Sequence, residues 1–172
     1  MKAVSYWMVS RGKVVISAAF VVLFAMFMGF YYYASLDNPQ LEMAKLELVD
    51  VKVLETNSID KRATLEITFL VTNPSKKTFT ISNINYELFV NNKDVGNGEY
   101  STEDIAMPGR AAIYAGNSVK LSSKFNLVYT DQIANEYSII TNGEQASFRA
   151  KGIASIESAW SIVEKPFEAT RG

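Results

Sequence analysis

Neither cysteine nor histidine occurs in this chain of 172 residues. Their absence removes the thiolate nucleophile, the commonest general base and the usual ligands for zinc, copper or haem. No disulfide can form, so any folded part is held by packing alone, whatever compartment it occupies. A Gly-rich phosphate loop, a Gly-x-Ser-x-Gly elbow and an Asp-rich loop of calcium-binding spacing are also missing. Carboxylate chemistry and a hard-metal site stay open in principle. However, Asp60-Lys61-Arg62, Lys76-Lys77 and Glu103-Asp104 read as solvated turns rather than sites. The Asn73-Pro74-Ser75 triplet is barred from glycosylation by its proline. These absences predict a protein that is not an enzyme, with no catalytic residue, no cofactor and no metal ligand to name.

Charge is also absent from residues 14 to 34, VVISAAFVVLFAMFMGFYYYA. At about 1.5 Å per residue this run makes a helix roughly 30 Å long, the thickness of a bilayer's hydrocarbon core. Lys2, Arg11 and Lys13 precede it, and Asp37 and Glu42 are the first charges after it. The positive-inside rule therefore predicts a cytoplasmic tail over 1–13, a transmembrane helix over 14–34 and an extracytoplasmic remainder. Tyr31, Tyr32 and Tyr33 have the character of an interfacial belt. A cleaved secretory signal fits less well, because Tyr32 and Tyr33 occupy positions where signal peptidase needs small residues. An archaeal prepilin leader cut after Gly12 is a third reading, with Lys13 unusual immediately after the cut. Along the helix Ala18, Val22, Ala25 and Gly29 recur at spacings of four, three and four. That stripe is a candidate interface for a partner transmembrane helix.

Three of the 17 basic residues lie before the apolar run, which leaves 14 against 18 acidic ones, a formal −4. No basic cluster suggests nucleic acid as a partner. About 135 residues then remain for one domain, long enough to bury a core. Their dominant period is two. Leu65, Ile67, Phe69 and Val71 alternate with Glu66, Thr68 and Thr72, and the strand stops at Asn73-Pro74, where proline removes a ladder donor. Ile84, Tyr86, Leu88 and Val90 alternate likewise up to the turn composition Asn91-Asn92-Lys93-Asp94. Val119, Leu121, Phe125, Leu127 and Tyr129 repeat the pattern with Ser123 in register. Further strands are predicted over 46–55, 78–82, 95–100, 111–115, 146–154 and 159–163.

Two segments change parity partway. Leu46 and Leu48 give way to Val49, Val51 and Val53, and Phe79 and Ile81 give way to Ile84 across Ser82-Asn83. Each implies a β-bulge or a strand covered on both faces. One helix is expected after Thr130 or Asp131, with Ile133, Tyr137 and Ile140 on one face and Asn142-Gly143 at its end. The fold class is therefore mainly β: an antiparallel two-sheet sandwich with one short helix, preceded by a single transmembrane helix.

The stretch from Val71 to Gly98 resembles the type 2 late-embryogenesis-abundant domain, also called the water-stress and hypersensitive-response domain. The resemblance rests on a strand ending in Asn73-Pro74, the Ile81 and Ile84 strand, Tyr86-x-Leu88, a short turn and Gly96-x-Gly98. It continues with the turn Met107-Pro108-Gly109, an alternating strand and helix, and a closing strand bearing Gly152. It covers residues 45–167, leaving a linker over 35–44 and a tail over 168–172. The resemblance implies an ordered fibronectin-like or immunoglobulin-like sandwich, often behind one amino-terminal membrane helix. It implies roles in stress protection, in defence signalling at membranes or in lipid handling, and brings no catalytic residues. Asn73, Pro74, Gly96 and Gly98 have structural work of their own in ending strands and permitting positive φ.

Three function classes follow. The first is a non-catalytic interaction module outside the membrane, serving envelope integrity, stress tolerance or a membrane complex. The second is a tethered lipid-binding or lipid-transfer domain, and the third a pilin-like filament subunit. The expected partners are membrane lipid and a transmembrane helix or membrane protein complex.

Overall fold

A computed structural model describes residues 11–102 and 110–171. The chain divides into two compact units, residues 1–36 and 37–172. The first holds α1, Arg11–Ser35, which buries none of its side chains. Its 25 residues make a helix about 37 Å long at the standard rise. Its apolar side chains have nothing to pack against among the described residues of the unit.

The second unit is a sandwich, opened by a four-residue helix α2, Asn38–Leu41, with Pro39 in its first turn. Seven strands follow among the described residues: β1 Lys45–Asn57, β2 Arg62–Thr72, β3 Thr80–Val90, β4 Lys93–Ser101, β5 Ser118–Val128, β6 Phe148–Glu157 and β7 Ile162–Arg171. Between β5 and β6 a 3₁₀ turn, Asp131–Ile133, runs into α3, Ala134–Thr141. One sheet has the order β1-β2-β5 and the other β4-β3-β6-β7, with every pairing antiparallel. The mainly β, two-sheet expectation therefore holds.

Alternation decides which face of each strand is buried. Leu65, Ile67, Phe69 and Val71 of β2 oppose Ile84, Tyr86, Leu88 and Val90 of β3, and Leu121, Phe125 and Leu127 of β5 complete the layer. Both parity changes are register shifts, at Leu48/Asp50 in β1 and at Ile81/Asn83 in β3. The second shift lies inside a single strand, so the predicted 78–82 and 84–90 strands are one element. The two-residue turn Asn91-Asn92 has φ of 47° and 69°, the doubly left-handed geometry that a tight hairpin requires.

Five expectations need correction. Residues 111–115 form no strand; Ile113 makes one isolated bridge to Phe79. The Asn73 side chain also takes the Ile113 carbonyl, and the turn at Gly116-Asn117 closes directly on Asn73. The supposed linker is partly core, since Leu41 and Ala44 are fully buried. Residues 168–171 are not a tail but the end of β7, where Arg171 pairs with Phe148. The strand bearing Gly152 is therefore β6, and β7 closes the sheet at its edge. Finally, the predicted 159–163 strand starts at Ile162, because Ser158 closes a turn onto Ser161.

Phe69 is wholly buried, and its ring meets those of Tyr86 and Phe167 edge-on at 5.1 and 5.6 Å. Phe69→Ala should cost about 3–5 kcal/mol in denaturation of the fragment 37–172. Ile59→Ala, at a turn position 91% exposed, should change stability by less than about 0.5 kcal/mol. Equal effects at the two positions would contradict this assignment of faces.

Candidate functional site

An open trough of about 840 Å³ lies on the solvent face of the four-stranded sheet. Its walls come from alternate, outward positions. Asn85 and Glu87 of β3 lie between Asn97 of β4 and Lys151, Ile153 and Ser155 of β6, with Glu164, Pro166 and Glu168 of β7 beyond. The register places Lys151 between Glu87 and Glu168, so opposite charges alternate across three strands. Arg149 adds an ion pair to Glu168 at 3.0 Å and lies over the Phe89 ring at 4.2 Å. Proline at 166 is tolerated because β7 is an edge strand. The trough mixes polar and apolar surface, carries both signs of charge and holds no thiol or imidazole.

Under its floor runs a row of paired positions, Gly98, Tyr86, Gly152 and Phe167, one from each strand of the sheet. A Cβ on Gly98 would lie 2.3 Å from the Tyr86 ring, and one on Gly152 would lie 1.9 Å from the Asn85 carbonyl oxygen. Gly98 thus clears space for a ring, and Gly152 permits a close approach of two backbones. Positive φ belongs to Gly96 alone of these three, at 128°. That corrects the expectation that Gly98 serves backbone geometry.

Tyr86 crosses the core to the opposite sheet, where its hydroxyl and that of Ser123 are hydrogen-bonded at 2.7 Å, both buried. Burial pushes the Tyr86 phenol above its ordinary range, and the Ser123 bond offsets this in part. Ser123 was visible in the sequence as the polar member of an apolar face, a residue that needs a buried partner. Nothing in the sequence identified which one.

Asn73 is also fully buried. Its side-chain amide donates to the carbonyls of Lys77 and Ile113, and its oxygen accepts from the Ser75 amide and hydroxyl. It is a structural knot joining two loops, with Pro74 exposed beside it. Asp37, read from sequence only as a charge after the helix, has a buried side chain between Lys77 at 3.1 Å and the Ser158 hydroxyl at 3.3 Å. Ala18, Val22, Ala25 and Gly29 all lie on α1 within an arc of about 60°. Open space surrounds Gly29. Pro108 and Gly109 lie outside the described residues.

Tyr86→Phe should cost about 1–2 kcal/mol near neutral pH, because it leaves the Ser123 hydroxyl buried without this partner. The raised phenol also sets a pH dependence. A folded-state value above the unfolded one, about 10, contributes stability that is complete below pH 10 and lost as pH rises further. Tyr86→Phe should therefore flatten the alkaline fall in the denaturant midpoint. An unchanged slope between the variant and the parent would refute the assignment.

No protein-family model and no curated protein matches this chain. Among solved structures, a protein from Arabidopsis thaliana is similar at a TM-score of 0.52 and 12% identity, covering 73% of this chain and 78% of that one. A protein from Archaeoglobus fulgidus matches at 0.42 and 17%, covering 73% and 94%. A candidate late embryogenesis abundant (LEA) protein matches at 0.42 and 10%, covering 98% and 92%. At such identities the likeness is one of fold, and of these three the Arabidopsis structure carries it.

Proposed function

We propose that this chain is a non-catalytic interaction module of the type 2 late-embryogenesis-abundant kind, anchored by α1 with its sandwich outside the cytoplasmic membrane. It would serve envelope or stress protection, or act as an accessory subunit of a membrane complex. The observation that carries this reading is a 25-residue apolar helix with no buried side chain, joined to a sandwich whose interior is filled. A helix of that kind is stable where lipid solvates its side chains and its own backbone bonds satisfy every amide. Phe69, Tyr86, Phe125 and Phe167 occupy the space between the sheets. This favours a surface-binding role over a lipid-transfer cavity.

The orientation follows from Lys2, Arg11 and Lys13 on the amino-terminal flank. Protease added to intact cells or right-side-out vesicles should digest residues 37–172 and spare the tail before Val14. Digestion of the tail alone would reverse the orientation.

The helix stripe supplies the proposed partner contact. Because no hydrophobic force joins helices in lipid, close backbone approach at Ala18, Val22, Ala25 and Gly29 is what a partner helix would gain. Replacing Ala25 and Gly29 together with Leu should sharply lower crosslinking to a partner in native membranes. Leu at Phe20 and Phe27, on the opposite side of the helix, should leave it intact. Equal partner yields from the two variants would make α1 a simple tether.

A further inference from the structure

We propose that the turn between β6 and β7 is a second membrane contact, with Trp160 and Ile162 seated in the interfacial layer of the bilayer beside the anchor. The inference rests on α1 being that anchor. Trp160 and Ile162 are 68% and 66% exposed to water, an unfavourable setting for two large apolar side chains at the rim of a domain. Ser158 defines the turn, accepting hydrogen bonds from the amides of Trp160 at 3.3 Å and Ser161 at 3.1 Å.

The turn is tied to the residues that leave the helix. The Ser158 hydroxyl donates to Asp37, and the Ser161 hydroxyl donates to the Asn38 side chain. Asp37 is two residues beyond Ser35, the last residue of α1. A chain of two residues spans at most about 7 Å, so connectivity alone keeps Asp37 close to the end of the anchor. A turn bonded to Asp37 and Asn38 is then held near the interface. Tryptophan favours that layer because its apolar ring and polar N–H suit a boundary between hydrocarbon and water.

The same end of the sandwich has matching chemistry. Met43, just past α2, is an exposed apolar residue there. The loop after β2 contributes Lys76, whose amide donates to Gln40 of α2, and Lys77, which pairs with Asp37. Lysines beside exposed apolar side chains are the composition of a surface that meets headgroups. The opposite end also exposes an apolar residue, Ile59 in the turn of Asn57, Asp60 and Lys61, but it lies at the far end of β1 from Asp37 and Asn38.

The test uses the full chain reconstituted in phosphatidylcholine vesicles. The sequence has two tryptophans, so Trp7→Phe leaves Trp160 as the sole reporter. Retention through an alkaline carbonate wash first establishes that the helix is inserted. Trp160 emission should then be blue-shifted and shielded from acrylamide present on both faces of the vesicles. It should lose most of its intensity when the lipid is brominated near the head of its acyl chains. A reporter at the opposite end, Ile59→Trp with Trp7→Phe and Trp160→Phe, should stay open to acrylamide and indifferent to brominated lipid. A retained chain whose Trp160 behaves like that reporter overturns the docking and leaves the anchor standing. Release by carbonate overturns both.

Discussion

The core of the sandwich depends on Tyr86 having glycine on both flanks. Facing sheets stand about 10 Å apart, and side chains must fill that gap without voids. Gly98 provides the clearance in which the Tyr86 ring lies, and Gly152 lets β6 close against β3 at the same row. From there the ring meets Phe69 edge-on and stacks at 6.4 Å on Phe125, while its hydroxyl reaches Ser123 of the other sheet. One side chain thereby joins both layers through packing and a satisfied polar contact.

A second set of constraints holds the end of the sandwich that contains Asp37 and α2. Without disulfides, loops there are fixed by buried polar side chains whose bonds are made inside the fold. Asn73 ties the loop after β2 to the segment around Ile113. Asp37 ties that loop to the β6–β7 turn. Lys165 of β7 caps the carbonyls of Glu42 and Ala44, just past α2. Residues from Asp37 onward are thus built into the sandwich rather than left as a flexible spacer.

Local sequence sufficed for α1, since twenty-one consecutive uncharged residues make a helix that needs no partner to be recognised, and none of its side chains is buried. Alternation at Leu65, Ile67, Phe69 and Val71 marked both the strand and its buried face, and the parity changes near Val49 and Ser82 located two of the register shifts, while those at Val53/Glu55 and Leu88/Phe89 left no such mark. Local chemistry also made Asn91-Asn92 readable as a turn. Tertiary structure alone decided which strands pair, where β3 sits between β4 and β6, and why the four residues at 168–171 belong to an edge strand. It also decided that Gly98 yields to a ring, that Ile113 makes a bridge rather than a strand, that Asp37 is buried and that Trp160 is exposed. Periodicity reports that a face is covered and is silent about what covers it. These outcomes turn on contacts between residues up to 123 positions apart, such as Asn38 with Ser161, whose partners no local pattern encodes.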